Sequence, residues 1–189
     1  MTKATLTGLL GGLTVLLTLA LPLRAAEEAK APKAYAVLIG VGKYSDGAIN
    51  GRPYAEADVK ALYDLLTDSQ YLGIPKDHVK MLLGGAADKE RNSQEATRDN
   101  ILAAAKWVAK EAGRDDLVIL TYIGQGAALG ERGDRIAYFA TDSSVKEPLK
   151  TAIPATALGE ELDKLQSHQV CMFVDVFFKG YKPANGKRS

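Results

Sequence analysis

A chain of 189 residues, 47% hydrophobic and 25% charged, is long enough to bury one ordinary core and carry a short extra segment. Its net charge of +1 is spread without a block of one sign, which argues against a nucleic-acid surface. One cysteine excludes an intramolecular disulfide, and with only two histidines a Cys/His zinc site has too few ligands, so no metal and no cofactor is expected.

The chain opens with Lys3 and an uncharged, Leu-rich run from Ala4 to Leu23, followed by small residues suited to cleavage after Ala25 or Ala26. Residues 1–26 read as a secretory signal peptide, residues 27–33 as a polar linker, residues 34–181 as the domain and 182–189 as a tail. The expected location is secreted or periplasmic. An uncleaved anchor is the alternative, and only then is a membrane a partner.

Tyr35–Val41 is a continuous apolar run, which suits a strand buried on both faces. A Gly/Asn/Pro-rich loop, Ser45–Pro53, leads to a helix over Tyr54–Thr67 with Ala57, Ala61, Leu62, Leu65 and Leu66 as its apolar set. His78–Leu83 is a second strand, stopped by Gly84 and Gly85. Thr97 can cap a helix that runs through Ile101, Leu102, Ala105, Trp107 and Val108 to Gly113. Leu117–Ile123 is a third buried strand, Ile136–Ala140 a short one, Thr156–Gln166 a helix, and Val170–Val176 a fourth buried strand. Alternation of this kind gives an α/β fold with right-handed crossovers and a mostly parallel sheet between helices. Function then collects at the carboxyl ends of the strands, which here are 40–44, 84–88, 124–126 and 175–180. Gly40-Val41-Gly42 lacks the third glycine of a dinucleotide turn, and Gly42-Lys43 lacks the earlier glycine of a phosphate loop.

Two of those ends carry motifs. Leu120-Thr121-Tyr122-Ile123-Gly124-Gln125-Gly126 and Phe173-Val174-Asp175-Val176-Phe177-Phe178-Lys179-Gly180 resemble the two catalytic motifs of the caspase-like cysteine proteases, the caspase and metacaspase family. In that family the first strand ends in Ser-Gly-His-Gly and the second in Asp-x-Cys-x-Ser-Gly. Gln125 stands at the histidine position and Phe177 at the cysteine position. Their separation, 177 − 125 = 52, matches the interval of about 50 for such a pair. Gly40-Val41-Gly42-Lys43-Tyr44, Asp58 and Leu62 extend the resemblance through the amino-terminal half. It implies a three-layer caspase–hemoglobinase fold, here reduced to a large-subunit-like core or a fragment, because the family continues past its cysteine motif. It also implies that Asp175 matches a pocket acid for basic side chains, with a strand-end carboxylate held by backbone or a lysine as the alternative. Arg52, six residues before Asp58, stands at the offset of an arginine that binds acidic side chains, with an ordinary loop cation as the alternative. The N–H groups of Gly126 and Phe177 stand where an oxyanion hole would form.

The residue types deny the chemistry. A cysteine protease needs a thiolate and a base to take its proton. Gln125 is a neutral amide and cannot act as that base, and Phe177 has no nucleophilic atom. Cys171 lies six residues before Phe177, roughly 20 Å along the strand and near its other end. It reads as a buried apolar cysteine. His78 and His168 begin strands, at the wrong pole, and Thr141, Ser143 and Ser144 have no readable base beside them. The expectation is a pseudoprotease that binds a peptide or protein in the former substrate groove or pairs with an edge-strand partner. An active cysteine endopeptidase and a structural or degenerate fragment are the alternatives.

Overall fold

The structure, a computed structural model, describes residues 31–130 and 132–183. The expected signal peptide, most of the linker and residues 184–189 of the tail lie outside them. Among the described residues no helix is long and apolar enough to cross a membrane.

The elements in chain order are β1 (Ala34–Gly40), α1 (Ala55–Thr67), β2 (Val79–Leu83), β3 (Gln94–Glu95), α2 (Arg98–Glu111), β4 (Leu117–Leu129), β5 (Arg135–Tyr138), α3 (Pro148–Thr151), β6 (Ile153–Pro154), α4 (Ala155–Leu162) and β7 (Gln169–Phe177). β3, β2, β1, β4 and β7 lie side by side, all parallel, and β5 and β6 continue antiparallel from the far end of β4. This is the mixed, mostly parallel α/β sheet expected of a caspase-like fold.

Period-two alternation sorts the core into two layers. Tyr35, Val37, Ile39 and Val41 face α2 and α4, meeting Ile101, Ala104, Val108 and Leu158. Ala36 and Leu38 face α1, meeting Val59, Tyr63 and Leu66. The α1 stripe therefore differs from the expected set: Ala55, Val59, Tyr63 and Leu66 are buried, whereas Ala57, Ala61 and Leu65 are exposed. Both stripes have helical spacing, but only the one carrying Val59 and Tyr63 offers a β-branched and an aromatic side chain to the sheet. Thr97 caps α2 as expected, its hydroxyl accepting from the Asn100 N–H at 3.3 Å.

Two strand expectations need correction. β4 does not stop at Ile123; it runs to Leu129, because its last four residues pair with β5. β7 is not buried. Val170, Met172, Phe173 and Val174 are each about half exposed, and Cys171 is exposed too. Among the described residues, β4 is the only strand β7 pairs with, and α1 packs over β1, β2 and β4. An apolar strand is buried only if neighbours cover it, and composition does not say whether they do.

Candidate functional site

Parallel pairing of β4 with β7 sets Ile123 beside Asp175, Gly124 beside Val176 and Gln125 beside Phe177. The two positions singled out in the sequence are thus direct neighbours in register at one end of the sheet.

Their surroundings differ sharply. Gln125 is 2% exposed, whereas Phe177 is 48% exposed. The Gln125 backbone is held at both polar groups by phenols. Its N–H donates to the Tyr44 hydroxyl at 2.7 Å, and its carbonyl lies 3.0 Å from the Tyr122 hydroxyl, which also reaches the Phe139 carbonyl at 2.8 Å. Burial pushes both phenols well above their ordinary pKa, so they stay protonated. The side-chain Nε2 donates to the Asn50 carbonyl at 3.0 Å, but Oε1 is buried with no hydrogen-bond partner among the described residues. A buried acceptor left unpaired costs about 1–3 kcal/mol.

The space in front of Gln125 is filled by the chain's own continuation. Beyond β7, Asn50 N–H donates to the Gly180 carbonyl at 2.7 Å and Lys182 N–H to the Ala48 carbonyl at 2.8 Å. Ile49 and Tyr181 form an antiparallel bridge between them. Gly180 lies against the Gln125 amide so closely that a Cβ there would overlap it. A Cβ on Gly126 would come within 2.6 Å of Val176 Cγ1 and 2.9 Å of Phe178 Cε1. The two glycines let the segments close over one another.

The remaining pocket candidates meet each other. Arg52 Nη2 lies 2.6 Å from Asp175 Oδ2, joining residues 123 apart in sequence. The Asp175 side chain is 64% exposed and that of Arg52 24%. Such a pair contributes little stability, about 0–1 kcal/mol, but each charge is answered by the other rather than presented alone.

Other candidates have structural partners. His168 is exposed at the amino end of β7. His78 stacks on Tyr35 at 4.5 Å and its Nδ1 lies 3.2 Å from the Ala34 carbonyl, at the amino end of β1. Ser143 donates to the Thr151 carbonyl, Ser144 to Asp46, and Thr141 reaches the Lys43 and Gly84 carbonyls. Among the described residues no group of three or more His, Cys, Asp or Glu is placed to hold a metal ion. The tyrosine clamp was missed in the sequence. Tyr44 stood in a matched motif, but nothing in its neighbours showed that it answers a residue 81 positions away. Glu56 was missed as well. Its carboxylate fits against Gly42 and Gly85, where a Cβ would crowd it, and one oxygen is buried without a partner among the described residues.

Comparison with known proteins bears on this arrangement. A family model described as "Caspase domain" matches residues 33–178. Comparison with curated proteins finds no match. Among solved structures, the crystal structure of protein GSU0716 from Geobacter sulfurreducens resembles the fold with a TM-score of 0.58 at 18% identity. The likeness covers 79% of this chain and 52% of that one, so the chain spans about half the length of that relative.

Proposed function

The chain belongs to the caspase-domain family, and from that membership we propose that it is a pseudoprotease: it binds a peptide or protein at the carboxyl end of its sheet without hydrolysing it. One observation carries the reading. The two registered neighbours on β4 and β7, Gln125 and Phe177, hold neither a base nor a nucleophile. Cys171 supplies no substitute. It stands in register with Ile119, six residues along β4 from Gln125, on an exposed part of the strand. The mutually paired Asp175 and Arg52, part exposed, are the charges a ligand would meet there. The exposed edge of β7 is a second surface where a strand partner could pair. The signal-like composition of the amino-terminal segment supports a location outside the cytoplasm, secreted or periplasmic.

The test is direct. Purified chain incubated with fluorogenic peptides ending in Arg, Lys or Asp is expected to give no turnover. Turnover that vanishes on Cys171→Ala would overturn the proposal in favour of an active cysteine endopeptidase. Asp175→Ala is expected to weaken binding of intact peptides; unchanged affinity would move the binding site elsewhere.

A further inference from the structure

The segment that covers Gln125 is itself informative about what that place can hold. Gly180–Lys182 pairs antiparallel with Ala48–Asn50 through one bridge, Ile49 with Tyr181, flanked by two backbone hydrogen bonds of 2.7 and 2.8 Å. Main-chain pairing of this kind is the means by which a peptide is held against another segment. Gly180 occupies a spot where a side chain would overlap the Gln125 amide. Tyr181 is 6% exposed, with its ring edge-on to Phe139 at 5.4 Å, in a nest that includes Ile49, Ala127, Val145 and Ala152. Each element of this fit selects for chemistry: backbone pairing for an extended chain, the Gln125 amide for glycine, the Phe139 nest for an aromatic ring.

We propose that the cradle formed by Ala48–Asn50, Gln125 and Phe139 is a binding site for an extended peptide segment in which glycine is followed by an aromatic residue, and that Gly180–Tyr181 fills it in cis. This rests on the peptide-binding reading above and names its ligand class. The seated segment leaves Gln125 Oε1 buried and without a hydrogen-bond partner among the described residues. The cis fit therefore leaves one buried polar group unpaired, which weakens its hold against a competing segment. Tethering gives the cis segment an effective concentration on the order of millimolar, so it acts as a built-in competitor that a partner must displace.

The probe is a labelled synthetic peptide with the sequence of residues 178–183, Phe-Lys-Gly-Tyr-Lys-Pro. Tyr181→Ala empties the aromatic nest and Gly180→Ala expels the segment from the Gln125 amide. Either full-length variant, shown to be folded by circular dichroism, is expected to bind the peptide at least about 10-fold tighter than the wild-type chain does. Peptides with alanine in place of the glycine or of the tyrosine are expected to lose that binding. Folded variants that bind no tighter than wild type, or that bind the alanine peptides equally well, overturn the proposal. If neither variant folds, amide exchange of the wild-type chain decides. Peptide at millimolar concentration should deprotect the Lys182 N–H while the Asn50 N–H stays protected by the incoming strand, and no change at Lys182 overturns the proposal. Peptide mass is followed throughout. Cleavage of the peptide would sink the non-hydrolytic reading, whereas loss of the Gly–Tyr preference alone leaves that reading standing.

Discussion

Gln125 stands where the resemblance to the caspase family puts a histidine, and its surroundings are not those of an accessible base. An imidazole there would need an open face toward a reacting group. The amide is instead enclosed, clamped through its backbone by Tyr44 and Tyr122 and covered by Gly180. The clamp makes a prediction at this scale. Tyr44→Phe removes the acceptor of the Gln125 N–H and is expected to cost about 1–2 kcal/mol in urea unfolding. Tyr54→Phe, at a ring 76% exposed, is expected to change stability by less than about 0.5 kcal/mol. Equal effects would show that the clamp does not hold the strand end.

At the scale of elements, β7 and α2 make opposite cases. Thr97 capped α2 on the strength of its side chain alone, and Thr97→Ala is expected to cost about 1 kcal/mol, read as a lowered midpoint in denaturant. β7 has the composition of a core strand, yet its outer edge is not paired with another strand among the described residues. Substitutions should therefore separate by neighbours rather than by residue type. Leu38→Ala in β1, at a fully buried site, is expected to cost about 2–5 kcal/mol. Phe173→Ser in β7, at a site 54% exposed, is expected to cost under about 1 kcal/mol while making the chain less prone to associate. A large loss of stability from Phe173→Ser in dilute monomeric protein would mean that β7 is covered in solution.

For the whole molecule, the titrating groups define a stability window. Asp46 is held below its ordinary value by the Ala48 and Val145 N–H groups, and Asp64 by the Arg91 guanidinium. For Asp88 the desolvation that raises it is outweighed by the Arg91 N–H, Lys60 and the Arg91 guanidinium, so it too is lowered. Depressed carboxyls stabilise the fold above their unfolded pKa of about 4, and that stability is lost as pH falls through the lower folded values. Tyr44 and Tyr122 are raised by burial, so their contribution is present below the unfolded phenol value of about 10 and is lost as pH rises above it. Thermal melts are expected to be flat near neutrality and to fall on both sides. Arg91→Ala should lower the neutral plateau and flatten the acid limb, and an acid limb as steep as that of the wild type would remove the carboxyl network as its cause. Much of this architecture was legible beforehand. Apolar runs and the helices between them fix a mostly parallel sheet, because only alternation with period two and period 3.6 buries those residues together. The strand reading put Gln125 and Phe177 at one pole of the sheet, because parallel strands share their direction. Tertiary structure alone decided the rest. Whether β7 is covered, whether Arg52 meets Asp175, and whether Gly180 closes over Gln125 depend on contacts between residues far apart in the chain, which local pattern does not encode.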